Sequence, residues 1–114
     1  MRSVAILVLA LSAGGVLAQG KYAGFVAAAK DVLTADFKDP DSAKFRSLAV
    51  YQQIDSRELA LCGEVNAKNS YGAYVGFRPF YVTDAGATLK EGPEDSLFDA
   101  LRMGYCDKRL AVVK

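Results

Sequence analysis

Two cysteines, Cys62 and Cys106, set the strongest constraint on how this chain can fold. Bonded, they tie the middle of the chain to a point near its end. The loop-entropy estimate for closing so long a loop is roughly 4 kcal/mol, less any native strain. Left as thiols, they impose nothing. The residues that decide between these states are the first twenty, "MRSVAILVLALSAGGVLAQG". Arg2 is a short positive start, Val4 to Leu17 form an apolar run, and Val16-Leu17-Ala18 provides a small residue before a cut with a tolerated Val two positions earlier. This pattern predicts a secretory signal peptide over residues 1–18. The run is shorter than the ~20 residues of a spanning helix and has no basic stop-transfer flank, so no membrane span is expected after cleavage. An exported chain, periplasmic or extracellular, meets oxidising conditions, and an even pair of cysteines there reads as one disulfide.

Residues 19–114 suit a single small domain. Such a chain buries only about two thirds of its unfolded surface, which makes a covalent staple valuable. Losing Arg2 with the leader leaves 13 of the 14 Lys and Arg against 13 Asp and Glu. A balanced domain has no electrostatic footprint for nucleic acid or an anionic membrane, and no nucleic-acid partner is expected.

Apolar residues at Tyr22, Phe25, Val26, Ala29, Val32, Leu33 and Phe37 recur in steps of three and four and predict an amphipathic helix over 21–37. Pro40 forces its end, and Asp39 is expected to cap a short helical turn starting at Pro40. Strands are predicted at 44–52, 58–66 and 74–83, with a short fourth at 88–90. Gly63 marks a possible bulge, and Pro79 places its strand at an edge or at a bulge. "GPEDSLFDALRMGYC" predicts a closing helix with Pro93, Glu94 and Asp95 in its first turn, ended by Gly104. The tail "KRLAVVK" fits either a last strand or a frayed end. The fold class is α+β: an N-terminal amphipathic helix and a C-terminal helix packed on a three- to four-stranded antiparallel meander, with one disulfide.

The chain contains no histidine. That removes the commonest general base, the commonest metal ligand and every Ser-His or Cys-His nucleophile. No cofactor and no metal is expected. Asp36, Asp39 and Asp41 could gather on a hard cation, but they lack the alternating acids, central Gly and closing Glu of a calcium loop, and turn capping explains them. An enzyme here would have to work with carboxylates, Lys, Tyr or Ser; a histidine-free hydrolase with paired carboxylates is the catalytic alternative.

Between the second and third predicted strands lies "NAKNSYG", Asn66 to Gly72. Asn and Gly tolerate positive φ, and Ser and Asn bond nearby backbone, so a hairpin connection accounts for them. Equally, Asn66, Lys68, Asn69, Tyr71 and Tyr74 offer donors, a charge and two amphipathic rings, the residue types that hold sugars or protein partners.

Two motifs stand out together: "KDPDSAKFR", Lys38 to Arg46, and "CGEVNAKNSYGAYVGFRPF", Cys62 to Phe80. The pair resembles a family of small exported bacterial and phage-associated proteins of unknown function with DPxSAxFR and CGxVNxKNxxGxYxGF segments. Asp39, Pro40, Ser42, Ala43, Phe45 and Arg46 match the first segment. Cys62, Gly63, Val65, Asn66, Lys68, Asn69, Gly72, Tyr74, Gly76 and Phe77 match the second. The resemblance implies an exported α+β domain and no particular activity. Taken together, these features lead us to expect a binding or accessory protein of the envelope, contacting a protein or glycan through residues 66–77. The alternatives are the hydrolase and a purely structural component of an envelope assembly.

Overall fold

The computed structural model describes residues 20–114, so the expected leader lies outside the described residues. Five strands form one antiparallel sheet in the order β4-β3-β2-β1-β5: β1 Lys44–Gln52, β2 Leu59–Asn66, β3 Arg78–Thr83, β4 Gly86–Leu89 and β5 Lys108–Val112. Helix α1 spans Ala23–Thr34, a 3₁₀ turn spans Pro40–Ser42, and helix α2 spans Ser96–Tyr105. The α+β class and the meander β1–β4 agree with the sequence reading. The strand count does not. The tail is a fifth strand paired to β1, on the opposite edge from β4. It is held because Leu110 and Val113 pack on the core and Val113 N–H donates to the Leu48 carbonyl at 2.8 Å.

The two faces of the sheet are closed differently. On one, Val26, Ala29 and Leu33 of α1 pack against Leu48, Val50, Leu61, Val65, Phe80 and Val82. Full burial of a Leu or Phe side chain is worth about 1.5–3 kcal/mol, so Leu61 and Phe80, both wholly buried, anchor this layer. On the other face, Phe98 of α2 joins Ala60, Cys62 and Tyr81, with Tyr51 and Tyr105 around them. The disulfide Cys62–Cys106, with Cα atoms 6.4 Å apart, ties the end of α2 to β2.

Both helices are shorter than the periodicity predicts. Helix α1 stops at Thr34, whose hydroxyl donates back to the Lys30 carbonyl at 2.9 Å. Phe37 packs on the core from the irregular segment that follows, whereas Val32, placed on the apolar stripe, is half exposed. Residues 92–95 form a turn before α2, and Asp95 is its N-cap, accepting from Phe98 N–H at 3.1 Å. Gly104 lies inside α2, which ends after Tyr105.

The bulge lies in β1 rather than at Gly63. Register shifts between Arg46 and Ala49, with Ser47 at φ 53°. Gly63 is the partner that makes room. A Cβ there would lie 3.1 Å from Leu48 Cα and 3.2 Å from the Arg46 carbonyl oxygen. Pro79 lies at a local edge, as expected, although β3 is otherwise an interior strand. Its missing N–H falls where the β3–β4 ladder ends. Lys90 N–H still donates to the Pro79 carbonyl at 2.9 Å. The Lys90 carbonyl, deprived of the return bond, accepts instead from Arg78 Nη2 at 2.7 Å and Nε at 3.1 Å. A side chain replaces the donor that proline lacks.

Candidate recognition surface

The segment Asp39–Ser42 builds one half of the site. Ser42 N–H donates to the Asp39 carbonyl at 3.1 Å, and Ala43 N–H to the Pro40 carbonyl at 3.2 Å. The Asp39 side chain does not cap this turn. The Ser42 hydroxyl closes it instead, donating to the Asp39 carbonyl at 2.7 Å. The same hydroxyl accepts from Lys68 N–H at 2.9 Å. The Ser42 carbonyl accepts from the Tyr74 hydroxyl at 3.0 Å. One residue of the first motif thus holds two of the second.

The other half is residues 66–77. Asn69 Oδ1 accepts from Tyr71 N–H at 2.9 Å and Ala73 N–H at 3.2 Å. Its backbone N–H donates to the Ala73 carbonyl at 2.9 Å, and Gly72 N–H donates to the Asn69 carbonyl at 3.0 Å. Asn66 Oδ1 accepts from Gly76 N–H at 3.0 Å. Lys68 and Tyr74 pair as an isolated antiparallel bridge. Gly72 and Gly76 have φ of 79° and 108°, where a side chain would be strained. Asparagine oxygens close this loop by binding its own backbone, the local bonding for which short polar side chains are suited.

Cations and rings complete the unit. Lys44 Nζ lies 4.7 Å and Lys68 Nζ 5.6 Å from the Tyr74 ring centroid. Arg46 Cζ lies 4.0 Å from that of Phe77, and Arg46 Nε donates to Glu64 Oε1 at 2.9 Å. Partly exposed contacts of this kind are each worth about 0.5–1 kcal/mol. A shallow hollow of about 150 Å³ lies beside the loop, flanked by Lys38, Lys68, Val75 and Arg78.

The five residues singled out in the sequence therefore share one surface but do different things. Asn66 and Asn69 turn their carboxamide oxygens inward to the loop. Lys68 and Tyr74 join the loop to the Ser42 turn. Tyr71 alone points wholly outward, 94% exposed. Sequence reasoning missed Ser42, Lys44 and Arg46 as members of this surface, although all three stand in the segment Lys38 to Arg46. Val75 and Phe77 lay within the expected 66–77 segment without being singled out, and Val75 is exposed.

Three acids serve local structure: Asp95 caps α2, Asp99 meets Lys90 at 3.1 Å and Glu64 meets Arg46. Among the described residues, no group of three or more His, Cys, Asp or Glu is gathered as a metal ion requires. Both cysteines are in the disulfide, so neither supplies a thiolate. None of the described helices is long and apolar enough to cross a membrane. Comparison of the chain with protein-family models, with curated proteins and with solved structures gives no match.

Proposed function

We propose that this is a small exported binding or accessory protein of the envelope, a member of the family it resembles, which contacts a protein or glycan through the tip of residues 66–77. One observation carries this reading: a rigidly closed loop displays an aromatic ring that the fold does not use. The bonds of Asn66, Asn69 and Ser42 fix the backbone, and Tyr71 is left standing in solvent on the loop that also carries exposed Val75 and the Tyr74–Lys68 pair. Aromatic residues on preformed loops contribute large contact area at low entropic cost. The proposal divides the five residues: Tyr71, Tyr74 and Lys68 contact the partner, and Asn66 and Asn69 position them. The apolar patch that a structural component would present at 77–81 has no support, since Phe80 and Tyr81 are buried.

The test is retention of an envelope component by the immobilised, oxidised protein and by two variants. Tyr71→Ala should lose the component with an unchanged melting curve. Asn66→Ala/Asn69→Ala should weaken retention and loosen the loop together. Equal retention by Tyr71→Ala would remove the tip from the reading.

A further inference from the structure

A second surface, beside α1 toward β1 and β5, has the shape and chemistry of a ligand groove. Helix α1 lies over β3 and β4, so the same sheet face stays open toward β1 and β5. The flank of α1 on that side carries Ala23 and Ala27, one turn apart and both exposed, with Val26 below them. Opposite stand Ala111 and Val113, which share a sheet face with Val50 and Leu48, and Val50 lies wholly buried beneath. The space between is about 710 Å³, within the 300–1,000 Å³ typical of small-molecule sites.

Helix α1 is apolar over more of its circumference than the sheet covers. From Ala23 to Leu33 its polar side chains are Lys30 and Asp31 alone. A helix apolar on nearly all sides is normally covered on those sides. The charged side chains of the groove are of one sign as well. Lys30 and Lys114 line it, and among the described residues lining it there is no Asp or Glu. Lys30 Nζ rests 4.8 Å from the Phe45 ring centroid and is in no ion pair among the described residues. An apolar trough with ammonium groups on its rim matches a chain of methylenes ending in an anion.

We infer that this groove binds a single-chain anionic amphiphile, a free fatty-acid-like carboxylate, with the chain along Ala27 and Val113 and the carboxylate at Lys30. An added peptide strand is the competing occupant, because β5 is a sheet edge. Two features blunt that edge. Val50 pairs with Ala111 and Tyr51 with Arg109, leaving Leu110 as a bulge, and Lys108 and Arg109 are charged. A bilayer surface is flat, whereas this site is concave.

The experiment is calorimetric titration of the protein, recovered after expression with its own leader, against dodecanoate below its micelle concentration. Decanoate, dodecyl maltoside and anionic phosphatidylglycerol vesicles are the other arms. Dodecanoate should saturate at one per protein. Each fully buried methylene changes affinity about fourfold, so decanoate should bind up to about fifteenfold more weakly. Ala27→Trp, at an exposed helix position, should abolish binding with the melting curve kept; Ala23→Phe replaces it if that variant melts early. Lys30→Glu should weaken dodecanoate at least tenfold and leave dodecyl maltoside unchanged. The inference is overturned by absence of saturable dodecanoate binding, by equal binding to a folded groove-filling variant, by indifference to Lys30→Glu, or by binding to vesicles alone.

Discussion

The disulfide side of the sheet and the 66–77 loop both attach distant pieces of chain, and they do so by opposite means. Helix α2 fully buries only Phe98, yet its end is bonded to β2 and its aromatic neighbours are close: Tyr81 lies 5.2 Å from Phe98 and 5.0 Å from Tyr105 between ring centroids. None of residues 66–76 is fully buried. They depend on hydrogen bonds to Ser42 and among themselves. A net hydrogen bond contributes about 0.5–1.5 kcal/mol, because water competes for both partners. A covalent link constrains the whole unfolded chain instead. The staple therefore governs how stable the molecule is, and the polar loop governs what shape it presents.

The largest expected effect tests the first half of that statement. Cys62 and Cys106 are 44 residues apart, and opening such a loop costs about 4 kcal/mol by the loop-entropy estimate. For a domain of this size that corresponds to a fall of about 15–30 °C in melting temperature. Melting of the protein with and without reductant, and of Cys62→Ala/Cys106→Ala, measures it. A fall of only a few degrees would mean that the aromatic cluster holds α2 without the bond, and the contrast with the loop would vanish.

Next in size is Gly63→Val, which acts where the two regions meet. The added Cβ would press on Leu48 Cα and the Arg46 carbonyl, and overpacking of this kind costs about 1–3 kcal/mol. Denaturant midpoints should show the loss. Because the bulge at Ser47 also sets where Arg46 and Lys44 reach the motif surface, the variant should disturb amide signals of residues 68–77 as well. Disturbance confined to the core would uncouple the bulge from the site.

Much of this fold was legible from local pattern. The bounds of β1 and the end of β2 at Asn66 match the apolar alternation, and the paired cysteines meet. What stayed hidden depends on contacts between distant residues. A five-residue tail beginning with Lys108 and Arg109 becomes a strand only because β1 waits for it. The bulge sits at Ser47, a residue type with no strong preference for positive φ, while the visible signal was the glycine across from it. Pro79 marks where the ladder ends, but not that Arg78 supplies the missing donor to Lys90. At the candidate site the ambiguity is chemical. An asparagine that closes a loop and one that grips a partner are the same residue, and only the positions of the Tyr71, Ala73 and Gly76 amides separate the two roles.

Those amides sharpen the second half of the comparison. Asn69→Ala and Asn66→Ala should each cost about 1 kcal/mol or less. Hydrogen exchange should nevertheless accelerate at Tyr71 and Ala73 in the first and at Gly76 in the second, with the sheet still protected. Tyr71→Ala should change neither, as exposed substitutions stay within about 0.5 kcal/mol. A large global loss from either asparagine variant would show that the loop supports the fold and does not merely shape its surface.

The smallest effect concerns the polar start of α2, the opposite end from its staple. Asp95 accepts from Glu91 N–H and from Phe98 N–H, both at 3.1 Å. These two bonds, Glu91 first, hold its carboxyl below its ordinary value of 3.8, with the charge of Lys90 assisting and partial desolvation opposing. A carboxylate whose folded value is depressed stabilises fully above its unfolded value, and the benefit disappears as pH falls through the folded one. Melting temperatures of the parent and of Asp95→Ala should therefore differ at neutral pH and converge on acidification below about pH 4. Other acids titrate in the same window, so the difference between the two proteins carries the result. If the gap is constant with pH, the ionised carboxylate is not what begins the helix, and α2 owes its position to Phe98 and the disulfide alone.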